Sequence, residues 1–122
     1  MIGLKEGNSY SGIDKIIVRN DKNEKIIIEC NTIGYIEAAN RGVVIYTDDD
    51  KIYKLSRKIS ELDKYAIDSC NFVRTHRSYI INMDKIEKYG STYVVINKKL
   101  LPLSRNGYKN LENRITSIAY IL

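Results

Sequence analysis

The chain contains no tryptophan, one phenylalanine, one proline and one histidine among 122 residues. A single histidine, His76, excludes a multi-histidine metal centre. The two cysteines, Cys30 and Cys70, stand far apart with no CxxC or metal-like spacing. They read as buried reduced thiols; a disulfide is open to them, but nothing in the setting asks for one. The glycines are scattered and form neither a GxGxxG nor a P-loop pattern. No apolar run approaches the roughly 20 residues of a membrane helix. The opening residues Met1-Ile2-Gly3-Leu4-Lys5-Glu6 lack the apolar region of a signal peptide. The default compartment is therefore the cytoplasm.

What is present favours strands. Ten tyrosines accompany many isoleucines and valines. The length favours one domain, and the 43% apolar and 29% charged composition is that of a globular protein with a modest core. Residues 1–12 are expected to form a flexible leader, and residues 13–122 the domain. A β-meander with short connections is predicted from Ile13 to Leu55, with turns at 20–24, at Asn40-Arg41-Gly42 and at Asp48-Asp49-Asp50. Gly42 is expected to supply a positive φ in the second of these turns. Leu55, Ile59, Leu62 and Ala66 recur at helical spacing, which predicts a short central helix over Arg57–Tyr65 with Ser56 as its N-cap. Further strands are expected near 92–96 and 100–103, where the lone Pro102 marks a strand end or an edge. An apolar stripe of Tyr108, Leu111, Ile115, Ile118, Ala119 and Leu122 predicts a C-terminal helix.

The charge balance is basic, with twenty Lys and Arg against fifteen Asp and Glu and a formal charge of +5. Lys51–Lys58 carries four cations and no acid, and Lys98–Arg114 carries five cations against Glu112 alone. A basic face is either a solvated surface or a nucleic-acid footprint. The most unusual stretch is Phe72–Asn82, where Arg74, His76, Arg77, Ser78 and Asn82 alternate with apolar residues. Phe72, Val73, Tyr79, Ile80 and Ile81 are read as anchors that leave the polar groups to face a partner. Arginine forks onto guanine edges or phosphates, and Asn and Ser donate to phosphates. Three tips carry these types: Asn40-Arg41, His76-Arg77-Ser78 and Ser104-Arg105-Asn106, the last opening a helix whose backbone N–H groups suit a phosphate. Lys98 and Lys99 are further candidates for phosphate contact. Helix-turn-helix, zinc-finger and basic-zipper patterns are absent, so any DNA reading comes from loops on a β scaffold.

Phe72-x-Arg74-x-His76-Arg77-Ser78-Tyr79-Ile80-x-Asn82 resembles the signature of the LytTR DNA-binding domain. Gly34-Tyr35-Ile36-Glu37-Ala38 and Leu101-Pro102-Leu103-Ser104-Arg105 are similar to two further blocks of that family, in the same order. The resemblance implies a mainly β, elongated fold of about ten strands in three sheets with little helix. It also implies the output module of a bacterial transcriptional regulator, acting on promoter direct repeats through loops in successive major grooves. Base or backbone contacts are expected from Asn40, Arg41 and Gly42 of the turn, from Arg77 and from Arg105, with His76, Ser78 and Asn82 fixing the loop or touching phosphates. The expected partners are double-stranded DNA and a second copy on that DNA, with a receiver domain or a small membrane regulator outside this chain. No cofactor and no small-molecule substrate is implied.

The competing reading is a protein-interaction module that uses the C-terminal apolar stripe and the sheet edges. A small hydrolase built on Cys70 and His76 stands third, because six residues of separation say nothing about spatial contact and no nucleophile motif surrounds Cys70.

Overall fold

The structure is a computed structural model that describes residues 15–69, 71–120 and 122. The expected leader over 1–12 and Cys70 lie outside the described residues. Among the described residues, ten strands and two α-helices follow one another: β1 Lys15–Arg19, β2 Lys25–Glu29, β3 Ile33–Ala39, β4 Gly42–Thr47, β5 Ile52–Leu55, α1 Ile59–Ser69, β6 Phe72–His76, β7 Tyr79–Asn82, β8 Ile86–Tyr89, β9 Tyr93–Ile96, β10 Lys99–Pro102 and α2 Arg105–Thr116. They form three sheets: a β1–β2 hairpin, a central sheet in the order β5-β4-β3-β7-β6, and a β8-β9-β10 meander. The mainly β reading of the sequence holds.

The central sheet is covered on both faces, which explains why its strands carry neighbouring apolar residues instead of strict alternation. Phe72, Ile80, Ile36, Val43 and Ile45 pack in one cluster with Val18 and Ile28 of the hairpin and Ile59 of α1. Their neighbours Val73, Ile81 and Tyr35 pack in a second cluster with Val94, Ile96 and Leu101 of the meander and Leu111 of α2. A register shift between Ile33 and Tyr35 lets Ile33 join Ile36 on the first face although their spacing is odd.

Four local expectations change. The positive φ in the 40–42 turn falls on Asn40, at 53°, while Gly42 is required for space: a Cβ there would lie 1.9 Å from the Leu55 carbonyl oxygen. Helix α1 begins at Ile59, two residues later than predicted. The Lys58 N–H donates to the Glu61 carboxylate, so Glu61 closes the first turn and Ser56 is not the cap. Helix α2 stops at Thr116, short of the full apolar stripe. Thr116 and Ser117 hydroxyls donate back to the carbonyls of Asn113 and Arg114 and satisfy the last turn, leaving Ile118, Tyr120 and Leu122 exposed. Finally, Cys30 is buried and disulfide-bonded, which corrects the reduced thiol expected there.

Candidate nucleic-acid interface

Phe72–Asn82 folds as a hairpin whose two-residue turn is Arg77-Ser78. Strand β3 runs antiparallel to both β4 and β7, so the Asn40-Arg41 turn and the Arg77-Ser78 turn leave the central sheet at the same end. They touch: the Ala38 N–H donates to the Ser78 carbonyl at 2.8 Å. The start of α2 reaches the same place. A bulge between Arg74 and His76 turns Thr75 fully inward. The Thr75 carbonyl accepts from both the Ser104 N–H at 3.0 Å and the Ser104 hydroxyl at 3.3 Å. Ser104 also caps the helix, its Oγ accepting from the Gly107 N–H at 2.9 Å. Contact this close needs Gly107, because a Cβ there would stand 1.8 Å from the Thr75 oxygen. Arg105 and Asn106 therefore lie exposed on a helical first turn beside the hairpin.

Thus the structure gathers Asn40, Arg41, Arg77, Ser78, Ser104, Arg105 and Asn106 at one end of the sheet. Arg41, Arg77 and Arg105 are all exposed there. Strand β5 also ends here, since Leu55 pairs with Val43, and it delivers Arg57 and Lys58. Those two residues were not singled out as contacts from the sequence, although the acid-free run Lys51–Lys58 was a signal for them. The carboxylates near this end are engaged: Asp63 with Arg74 at 2.9 Å, Glu61 with Arg57 at 3.1 Å, and Glu37 with two tyrosines. The acid cluster Asp48–Asp50 lies at the opposite end, in the β4–β5 turn.

The remaining expected contacts have other work. Arg74 is inward, its guanidinium donating to Asp63, to the His76 carbonyl at 2.8 Å and to the Arg77 carbonyl at 2.6 Å. The Nδ1 of His76 accepts from the Ser78 N–H at 3.1 Å and so fixes the turn. Asn82, expected to fix the loop or touch phosphates, is an interior brace, and its burial corrects the phosphate alternative. It is 2% exposed, its amide donates to the Ile33 carbonyl at 2.9 Å, and its Oδ1 accepts from the Asp84 N–H. Lys98 sits in the β9–β10 turn, at the acidic end. Its φ is 64°, its N–H donates to Glu87, and neighbouring Asn97 donates to Asp48. Lys99 places its ammonium over the stacked rings of Tyr35 and Tyr46, at 5.7 and 5.5 Å. Neither lysine joins the three tips.

Burial, and then the hydrogen bond to Glu37, raises the Tyr79 phenol to about 12. Among the described residues, no group of three or more His, Cys, Asp and Glu side chains gathers as a metal site. No described helix is long and apolar enough to cross a membrane.

The family model of the LytTr DNA-binding domain matches residues 23–116. The sensory transduction protein LytT of Oceanobacillus iheyensis is 27% identical over 114 residues, covering 87% of this chain and 46% of that protein. The chain thus spans about half the length of that curated relative. A solved LytTr DNA-binding domain from Bacillus cereus shares the fold with a TM-score of 0.67 at 17% identity, covering 84% of this chain and 97% of that one.

Proposed function

The chain belongs to the LytTr DNA-binding domain family, and from that premise we propose that it reads promoter direct repeats in double-stranded DNA by inserting its three tips into successive major grooves. The observation that carries this reading is the convergence of Arg41, Arg77 and Arg105 on one end of the central sheet, with the nearby carboxylates already engaged. In this reading Arg77 and Arg105 contact base edges. Arg41 and Asn40 follow the adjoining groove wall, and Ser78, Asn106, Arg57, Lys58 and the α2 N–H groups hold phosphates. The module acts in the cytoplasm as the output of a transcriptional regulator. Its control comes from a receiver domain or a small membrane regulator, and a second copy occupies the neighbouring repeat.

Selection of bound duplexes from a random pool tests the reading. Enrichment of paired repeats is expected, with binding that weakens steeply as salt rises because phosphate contacts release counterions. A pool that shows no enrichment rejects it.

A partner-binding role has one observation in its favour: Ile17 and Ile27, cross-strand partners on the β1–β2 hairpin, are 63% and 62% exposed. Sedimentation of the protein without DNA, comparing Ile17→Lys with the parent, decides whether that pair drives self-association.

A further inference from the structure

We infer that Glu37 is a positioning residue for the DNA-facing turn: its carboxylate holds Tyr79, the Tyr79 ring braces His76, and His76 fixes the Ser78 amide next to Arg77. This rests on the reading that Arg77 faces DNA. Glu37 is half-buried on β3 and stands opposite Tyr79 of β7 and Val44 of β4. Its two oxygens serve two strands, with Oε2 accepting from the Tyr79 hydroxyl at 2.8 Å and Oε1 from the Tyr46 hydroxyl at 3.2 Å. A carboxylate only accepts, so both phenols are satisfied at once and both rings are held across the sheet. The Lys99 ammonium over the Tyr46 ring places a positive charge beside this cluster.

The link to the turn is short. The rings of Tyr79 and His76 meet edge to face, with centroids 5.9 Å apart. The imidazole held in this way turns Nδ1 toward the Ser78 N–H at 3.1 Å. On the other side of the Ser78 Cα, in the next peptide unit, the Ser78 carbonyl accepts from the N–H of Ala38, the residue after Glu37. Ser78 is therefore fixed at both its amide and its carbonyl, and Glu37 or its neighbour stands behind each. Arg77, one residue earlier, has an exposed side chain whose direction follows that backbone. Misplacement of a bidentate arginine weakens base discrimination while leaving phosphate attraction intact.

The test compares Glu37→Ala and Glu37→Gln with the parent protein, using a duplex enriched from a random pool and a random duplex as probes. Glu37→Ala is expected to weaken binding to the enriched duplex about fivefold to tenfold, with random-duplex affinity held within about twofold. Amide exchange at Ser78 should accelerate in the same variant without DNA. Glu37→Gln keeps an oxygen for the Tyr79 hydroxyl and should restore most of both properties. If Glu37→Ala does not fold, Tyr79→Phe keeps the ring and removes only the hydroxyl, and is expected to speed Ser78 exchange. Parental Ser78 exchange and a parental specific-to-random ratio in folded Glu37→Ala would overturn the inference, as would Glu37→Gln being as impaired as Glu37→Ala. Should the parent enrich no sequence, the DNA reading fails, and the Ser78 exchange comparison still decides the structural link.

Discussion

The Arg74 guanidinium donates to the carbonyl oxygen of Arg77 at 2.6 Å, so one arginine of the hairpin holds the backbone of the other. The same group reaches the His76 carbonyl and pairs with Asp63 of α1, which ties the turn to a helix on the sheet's flank. Its side chain is only 22% exposed, so the pair is weakly screened.

Replacing Arg74 by Ala should therefore destabilise the fold by about 2 kcal/mol, because it strands a partly buried Asp63 and two carbonyls. Arg74→Lys should recover little of this, since an ammonium cannot reproduce the planar fork. Urea unfolding of both variants checks the prediction. A midpoint for Arg74→Lys equal to that of the parent would show that charge alone suffices.

Gly107→Ala forces a methyl group toward the Thr75 carbonyl, at a position where the ideal Cβ would lie 1.8 Å from that oxygen. Neither partner is a flexible side-chain end, so the start of α2 must lift from β6. A loss of about 2–3 kcal/mol is expected. Arg105 sits on the displaced turn, so specific DNA binding should fall as well. Unfolding and DNA titration of the same sample check both parts, and an unchanged melting temperature would contradict the contact.

Thr75 should respond in the opposite direction. Its side chain is fully buried, and its Oγ1 has no hydrogen-bond partner among the described residues. Thr75→Val keeps the β-branched shape and removes the unsatisfied hydroxyl, so a gain of about 1 kcal/mol is expected. Thermal unfolding that showed a loss instead would mean that the hydroxyl has a partner.

Lys98 separates general basicity from placement. It belongs to the basic run at 98–114, yet it occupies a turn at the end of the molecule that carries Asp48–Asp50. Lys98→Gly relieves a positive φ and removes one charge. Its DNA affinity should stay close to the parent's at moderate salt. Arg77→Ala should lose about 1–3 kcal/mol on the enriched duplex and little on a random one. Equal losses from the two variants would indicate a diffuse electrostatic surface and not a reading tip.

The meander strands before α1, the strands near 92–96 and 100–103 and the buried anchors of 72–82 were legible because apolar spacing and turn residues are local signals, whereas the strands over 72–76, 79–82 and 86–89 were not, because polar residues interrupt their apolar pattern. Phe72, Val73, Ile80 and Ile81 are indeed buried, in adjacent pairs that serve opposite faces of one sheet. What could not be read was which polar residues look inward. Arg74 and Arg77 are chemically alike and three positions apart, and only the bulge at Thr75 and the position of Asp63 decide that one is clamped while the other is exposed. Asn82 likewise looked like a contact residue, because its acceptors on β3 lie 49 residues earlier in the chain. The basic run at 98–114 is not one face for a related reason, since it crosses the molecule from one end to the other along β10.

The tyrosine cluster gives a pH dependence with a definite sign. Tyr79 is raised to about 12 by burial and the Glu37 hydrogen bond, and Tyr89 to about 12 chiefly by its hydrogen bond to Glu112. In the unfolded chain both titrate near the ordinary value of 10.0. Between these values the unfolded state has released protons that the folded state retains, so stability falls as pH rises. The contribution is fully present below the unfolded value and is lost on the way up to the folded one. Urea midpoints measured in steps across this window should decline. Tyr89→Phe, which removes one of the raised phenols, should make the decline shallower. A slope identical to the parent's in Tyr89→Phe would show that the Glu112 bond does not hold the phenol protonated.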